Sequence, residues 1–321
     1  MSGEQPGKRR QRVVLLSTIE VERELAALRA GLAGLDLEVV ASESVPSGPG
    51  TVALVALPMV QVSARHARAL PDLRIVCAAS TGVDHLDVSG LQRLGCVVTN
   101  ATGHSDVEVA DHTTAMVFAL LRDLLGSDTA VRSGVWDARS SGARRIAGTS
   151  LGLVGFGPIA RLVARRTVAM GMVVRAWSRS RTAGHDSSTG VEFVSSFTEL
   201  LEVSQVVSLH VPATPQTRHL MNDEALAVMP DGSYLINCSR GSLVDVEALG
   251  RALRSGKLSA AALDVLEPEP PGRDHPALTL PRVLLTPHLA WFSQESATAS
   301  YEMAAANIRR VLSGTAAQEV A

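Results

Sequence analysis

Cysteine is scarce in this chain: Cys77, Cys96 and Cys238 are the only three in 321 residues. Their odd number and wide spacing exclude a CxxC site and fit a reducing, cytoplasmic compartment. An excess of one charge is missing too. Lys and Arg total 30 against 32 Asp and Glu, a formal net charge of −2, so no global field attracts nucleic acid. No apolar run approaches membrane-spanning length, so no membrane partner is expected. The nine histidines show no ligand spacing such as HExxH, and no metal is expected. The opening stretch, residues 1–12, carries Lys8, Arg9, Arg10 and Arg12 among Gly3, Pro6 and Gly7. No apolar h-region follows it, so it is predicted to be a disordered tail and not a signal peptide. Short repeats and low-complexity segments are absent.

What is present is alternation. A length of 321 residues with 46% hydrophobic and 19% charged content describes an ordinary globular chain of about two domains. Apolar strands are predicted over 12–17, 37–41, 51–57, 73–79 and 97–100, with helices over 21–32 and 63–70, the second ended by Pro71. Strands alternating with helices imply a parallel sheet covered on both faces. This first unit has no phosphate-binding glycine motif. A long apolar helix follows over 107–125, with Ser105 as a cap and Glu108 three residues later. Its apolar face suits either a subunit interface or a core helix. Residues 132–148 read as a polar connecting loop. A second alternating unit has strands over 151–154, 172–177, 206–210, 233–237, 259–265 and 283–286. A closing helix over 293–312 is placed to return to the first domain.

The chain is organised around Leu151-Gly-Leu-Val-Gly-Phe-Gly-Pro-Ile-Ala160. A buried strand ends in Gly155-x-Gly157-x-x-Ala160, then a helix over 159–169 and a second strand follow. Gly155 permits the tight turn, Gly157 has no Cβ to hold off a pyrophosphate, and Ala160 lets helix and strand approach. The helix N-terminus offers free N–H groups and a favourable dipole to phosphate. In this βαβ context the pattern marks a dinucleotide site, with Gly155, Phe156, Gly157, Pro158 and Ile159 as its loop. The end of the second strand reads the adenosine ribose, and an acidic residue there implies NAD. Here Ser178, Arg179, Ser180 and Arg181 occupy it. Guanidinium groups suit a 2′-phosphate better than a bare diol, which favours NADP over NAD. Surface arginines around an NAD site are the alternative.

Three ionisable residues fall just past predicted strand ends, where open α/β sheets bind ligands: Arg240, Glu269 and His288. A histidine with a carboxylate partner is an acid–base unit, because the carboxylate fixes its tautomer and favours its protonated form. An arginine nearby grips a carboxylate and polarises an adjacent carbonyl. Singly they read equally well as a surface cation, a turn residue and a capped loop histidine. Jointly, beside a dinucleotide site, they describe hydride transfer to a 2-keto acid.

These segments resemble a known family. Asn237-Cys-Ser-Arg-Gly-Ser-Leu-Val-Asp245, Leu263-Asp-Val-Leu-Glu-Pro-Glu-Pro270 and Thr286-Pro-His-Leu-Ala290 are similar to signature segments of the D-isomer-specific 2-hydroxyacid dehydrogenases. Ala79-Ser-Thr-Gly-Val-Asp-His-Leu-Asp87 and His210-Val-Pro-Ala-Thr-Pro-Gln-Thr217 extend the likeness over nearly the whole chain. The resemblance implies two doubly wound parallel-sheet domains, a Rossmann-type cofactor domain (103–290) inserted in a flavodoxin-like substrate domain (13–102 and 291–321). It also implies a homodimer built on the long helix. By the same resemblance Arg240 binds and polarises the keto acid, His288 donates the proton and Glu269 is its partner. Ser80, Thr81 and Gly82 offer backbone N–H groups to the substrate carboxylate. Val211, Pro212 and Thr217 line the ribose and pyrophosphate, Cys238 and Ser239 complete that cofactor edge, and Asp264 meets the carboxamide.

Ser141-Gly-Ala-Arg-Arg-Ile146 and Ala290-Trp-Phe-Ser-Gln294 are similar to the C-terminal-binding protein corepressors, a branch of this family. There the tryptophan matching Trp291 lies in the substrate pocket, so Trp291 is a candidate contact for an apolar or thioether side chain; core packing is its alternative. Departures from the family pattern are Ser178 for an acidic residue, Ser80 for glycine and Thr102-Gly103 for Pro-Gly. The expected activity is NAD(P)H-dependent reduction of a small 2-keto acid to a D-2-hydroxy acid, with closure about 100–103 and 288–291 excluding water. Glu269→Gln is expected to weaken reduction progressively as pH rises. The alternative from another class is a dinucleotide-sensing interaction protein with vestigial turnover. Oxidation of phosphite or a phosphonate is remote, since residues 79–82 offer no lysine for such an anion.

Overall fold

The computed structural model describes residues 10–19, 21–181, 183–317 and 319–320. The chain divides into two compact units, residues 1–105 with 293–321, and residues 106–292. Both breaks fall a few residues later than the sequence pattern suggests. The first unit holds β1 (Gln11–Leu16), α1 (Glu22–Gly31), β2 (Leu37–Ser42), β3 (Thr51–Ala56), α2 (Ala64–Arg68), β4 (Ile75–Ala78), α3 (Val88–Gln92) and β5 (Val97–Thr99). The second holds α4 (Asp106–Leu121), α5 (Leu124–Arg132), β6 (Ser150–Val154), α6 (Pro158–Ala169), β7 (Val173–Trp177), β8 (Gly184–Asp186) and β9 (Val191–Phe193). It continues with α7 (Phe197–Glu202), β10 (Val206–Leu209), α8 (Asp223–Val228), β11 (Ser233–Asn237), α9 (Val246–Ser255), β12 (Leu258–Leu263) and β13 (Val283–Leu285). The chain then returns to the first unit as α10 (Gln294–Leu312).

In the first unit a five-stranded sheet runs β2-β1-β3-β4-β5, every pair parallel. Its inner strands β3 and β4 are buried along their whole length because both faces are covered. Val13 and Leu15 face one core with Leu25 and Leu28 of α1; Val14 and Leu16 face the other with Ala67, Leu70 and Leu91. α10 closes the first core with Tyr301, Ala304, Ala305, Ile308 and Val311. Ile308 is fully buried, which contributes roughly 1.5–3 kcal/mol. Arg309 adds guanidinium hydrogen bonds to the carbonyls of Gly31 and Ala33 at the end of α1. Gln11 and Arg12, expected to lie in a disordered tail, belong to β1, and Arg10 bonds Asp36 at 2.9 Å. Residues 1–9 lie outside the described residues.

The second unit carries an eight-stranded sheet, β13-β12-β11-β10-β6-β7-β9-β8, parallel except for the β8–β9 edge. Outward from β6 the order reverses between β6 and β10, the switch point at which doubly wound sheets open a crevice. α4 and α6 cover one face through Met116, Val117, Leu121, Ala160, Val163 and Ala164. α7, α8 and α9 cover the other through Leu200, Leu201, Leu226, Leu249 and Leu253. The single helix expected over 107–125 is broken. Asp123 takes a left-handed backbone, φ 48°, and its carboxylate accepts the Gly142 N–H at 2.9 Å. That tertiary bond ends α4 and starts α5, which runs on through 126–131 to the start of the stretch expected to be loop. Among the described residues no helix is long and apolar enough to cross a membrane.

Candidate active site

The glycine loop lies at the carboxyl end of β6. Gly155 has φ 94°, and a Cβ there would stand 2.4 Å from the His210 carbonyl oxygen at the end of β10. Only glycine fits, and the turn lets the Gly155 N–H reach the Trp177 carbonyl at 2.8 Å. Gly157 is the N-cap of α6 with Pro158 in its first turn. A Cβ at Gly157 would meet nothing within 4 Å. The first amides of a helix have no partner within it, and the open space beside Gly157 leaves room there for a pyrophosphate. Phe156 differs from expectation: its ring turns inward, edge-on to Phe193 at 4.9 Å and beneath the Arg161 guanidinium at 4.8 Å. Only its backbone remains for a ligand. Ile159 is half-buried against the same core. His210 is half-buried next to the loop, and desolvation pushes its pKa down to about 4. Its Nε2 stands 3.0 Å from the Ser208 hydroxyl.

After β7 the chain turns at Ser178, whose hydroxyl is 3.2 Å from that of Ser180. Arg179 and Ser180 are exposed. Arg181 is otherwise engaged: it donates to Asp186 at 3.2 Å and stacks over Phe193 at 5.0 Å. Arg161 donates to the same carboxylate oxygen at 3.2 Å. Asp186 sits at about pKa 2, held down first by the Ser188 hydroxyl, against burial, and further by the Ser188 N–H, Arg161 and Arg181. Of the two arginines read from the sequence as phosphate ligands, Arg181 is tied to protein and Arg179 is presented.

Arg240 follows β11, and its guanidinium bonds the Ser239 carbonyl at 2.8 Å. The next residue explains how this loop meets its neighbour. A Cβ on Gly241 would stand 2.1 Å from the Leu266 carbonyl carbon, so glycine lets the β11 loop lie directly on the backbone of the β12 loop. That loop carries Glu269. One carboxylate oxygen accepts the Leu266 N–H at 2.9 Å and the other accepts from His288 Nδ1 at 2.6 Å. Burial raises the Glu269 pKa, but the His288 bond and charge, the Leu266 N–H and the Arg240 charge outweigh it and hold it below the ordinary value. Arg240, Glu269 and His288 are thus brought together within the second unit.

His288 itself has a left-handed backbone, φ 53°. Its N–H donates to the Asp264 carbonyl at 2.7 Å. The buried Asp264 carboxylate accepts the Leu289 N–H at 2.7 Å, the Ala290 N–H at 2.9 Å and the Thr286 hydroxyl at 2.5 Å. The carboxamide contact expected of Asp264 is closed in this structure: its side chain has no exposure, and its oxygens are turned to these protein donors. The Thr286 hydroxyl is in turn 3.2 Å from His112 Nε2 on α4. Sequence reasoning missed His112, Thr286 and Asp186, since no spacing ties them to the site.

The other predicted residues divide. Val211 touches the glycine turn, its Cγ1 3.0 Å from the position of a Gly155 Cβ. Ser239 donates its hydroxyl to the Val211 carbonyl at 2.6 Å. Thr217 is buried and donates to the Pro212 carbonyl at 2.7 Å, shaping its own turn. Cys238 lies against Met116 Sδ at 3.5 Å, and burial lifts its thiol to about 12, so it stays protonated. Trp291 is 37% exposed and edge-on to Phe292 at 5.4 Å. Ser80, Thr81 and Gly82 belong to the first unit, in the loop after β4. There Ser80 donates to the Gly82 carbonyl at 2.7 Å and Asn100 to the Thr81 carbonyl at 2.7 Å. Among the described residues no group of His, Cys, Asp and Glu side chains is placed to hold a metal ion.

Residues 114–290 match the family model described as D-isomer specific 2-hydroxyacid dehydrogenase, NAD binding domain. The D-3-phosphoglycerate dehydrogenase of Methanocaldococcus jannaschii is 36% identical over 77% of this chain and 47% of its own length. The chain thus spans about half of that relative. A glyoxylate reductase of Korarchaeum cryptofilum is 38% identical, over 80% of this chain and 78% of that protein. Among solved structures, D-lactate dehydrogenase from Aquifex aeolicus, complexed with NAD and lactic acid, superposes with a TM-score of 0.81 at 27% identity, covering 95% of this chain and 96% of that one. With its glycine cradle at the switch point and its paired histidine and carboxylate, the chain belongs to the D-isomer-specific 2-hydroxyacid dehydrogenase family.

Proposed function

We propose that this protein reduces a small 2-keto acid to the D-2-hydroxy acid with a nicotinamide dinucleotide. The 2.6 Å His288–Glu269 pair, at the carboxyl edge of the sheet that bears the glycine loop, carries this reading. Glu269 accepts from Nδ1, so a protonated imidazole directs its Nε2–H outward to the keto oxygen. Arg240 binds the substrate carboxylate and polarises the carbonyl. The dinucleotide would be held by the α6 amides, the 178–180 segment, Val211 and Pro212. When bound, its reduced nicotinamide supplies the hydride that goes to the keto carbon.

NADP is the cofactor proposed over NAD. The 178–181 segment offers two hydroxyls and Arg179, with no carboxylate to accept from a ribose diol. A second copy of this chain is the proposed partner. Leu124, Leu125, Val131 and Val135 are exposed in and after α5, and Trp136 is 89% exposed; a large apolar patch suits an isologous contact. The free cysteines suit a cytoplasmic location. The sensor reading rests on the likeness of 141–146 and 290–294 to corepressors; the Arg240–Glu269–His288 set counts against it, although corepressors retain that set too.

The test is the initial rate of NADPH and NADH oxidation against glyoxylate, hydroxypyruvate, phenylpyruvate and 4-methylthio-2-oxobutyrate. Turnover abolished by His288→Ala is expected, with NADPH the faster cofactor and Arg179→Ala removing about tenfold of that preference. Saturable dinucleotide binding without turnover on any acid would favour the sensor.

A further inference from the structure

Asp264, Thr286 and His112 form a buried relay that ends on the backbone of the histidine loop. The Asp264 carboxylate receives the N–H groups of Leu289 and Ala290, the two residues after His288. It can hold both only in one rotamer. Thr286 donates its hydroxyl to Asp264 Oδ1, which leaves its oxygen to accept; His112 Nε2, at 3.2 Å, is in place to donate to it in the Nε2–H tautomer. His112 Nε2 is also 3.7 Å from Asp264 Oδ1, and the Asp264 side chain has no exposure. A carboxylate so buried is oriented by its donors alone, and removing one lets it turn or draws in water. The left-handed conformation of His288 is imposed by this anchorage, since β-carbon contacts disfavour it for any residue but glycine.

We propose that His112 is a positioning residue: through Thr286 it fixes the Asp264 carboxylate, and through Asp264 it holds the 288–290 backbone that aims the His288 imidazole. The inference rests on His288 as proton donor, and it adds an element, α4, that has no reacting group of its own. An Nε2–H is required of His112, so an amide at the same reach performs the same task and an aliphatic side chain does not. A displacement of the imidazole by a fraction of an ångström acts on the chemical step and leaves substrate binding by Arg240 intact.

The experiment compares wild type with His112→Ala, His112→Gln, Thr286→Val and the His112→Ala/Thr286→Val double variant. Steady-state rates are taken with the best 2-keto acid, NADPH affinity by fluorescence, and hydrogen exchange by mass spectrometry over residues 284–292. Expected for His112→Ala is a fall in kcat of about tenfold or more with KM for the keto acid within about twofold. Exchange at Leu289 and Ala290 should rise while that of β6 and β11 stays unchanged. His112→Gln should restore kcat to within about twofold, and the double variant should be no worse than the worse single one. Wild-type kcat in His112→Ala, additive losses in the double variant, or a rise in exchange spread over the whole unit would overturn the proposal. Absence of turnover in wild type would instead refute the reductase reading, and the exchange and NADPH affinity data would still decide the relay.

Discussion

Adding one methyl group at each of two neighbouring glycines should produce opposite results. Gly155 has φ 94°, and its added Cβ meets a backbone carbonyl oxygen at 2.4 Å, against about 3.4 Å for ordinary contact. The left-handed conformation costs an alanine roughly 1–2 kcal/mol. Overpacking against an atom that cannot rotate away adds about 1–3 kcal/mol, giving about 2–5 kcal/mol for Gly155→Ala. For a unit of this size that is a fall in Tm of about 5–15 °C. Gly157 has φ −77°, a conformation open to any residue, and its added Cβ meets nothing within 4 Å. Gly157→Ala should cost no more than about 1 kcal/mol, the ordinary penalty of alanine at an N-cap. Its methyl group stands at the N-cap of the helix whose first amides are assigned to the phosphate, so dinucleotide affinity should fall about 10- to 100-fold through lost phosphate hydrogen bonds. Differential scanning calorimetry without cofactor and fluorescence titration with NADPH measure the two quantities. A Gly157→Ala variant that binds NADPH as wild type does would refute the assignment of the cradle. A Gly155→Ala variant with an unchanged Tm would refute the steric reasoning.

Two further outcomes follow from the ionisable groups. The lowered pKa of His210, about 4 against 6.5, means the unfolded chain takes up the proton first, so this contribution to stability is full above 6.5 and is lost as pH falls toward 4. In urea unfolding, His210→Gln should flatten that window relative to wild type; equal pH slopes would count against it. Glu269 is held ionised below its ordinary value of 4.5, so its support of His288 persists until the solution is well below that pH. Glu269→Gln should lower kcat/KM about 10- to 100-fold, the loss widening as pH rises, and a uniform loss at every pH would place Glu269 in a purely structural role.

Much of this protein is legible in one dimension because its signals are local. A strand buried on both faces must be an apolar run, as 51–56 and 151–154 are, and the glycine turn at 155–157 is written in adjacent residues. Strand order, and hence the switch point where the cradle lies, is decided by which strands pair, and β6 finds β10 some fifty residues onward. β8 and β9 are three residues each, too short for any periodicity to appear. The helix over 107–125 reads as continuous because apolar periodicity does not register the carboxylate of Asp123, whose partner is at 142. Phe156 reads as part of the loop until Phe193 and Arg161 draw its ring inward.

The residue types needed for the chemistry, an arginine, a carboxylate and a histidine past strand ends, were set by the sequence itself. Their meeting was not. Gly241 lets two loops touch at backbone distance, and Asp264 and Thr286 tie down the segment that presents His288. These are contacts between residues far apart in the chain, made by single hydrogen bonds and the absence of one β-carbon, and only the folded packing brings such atoms within range.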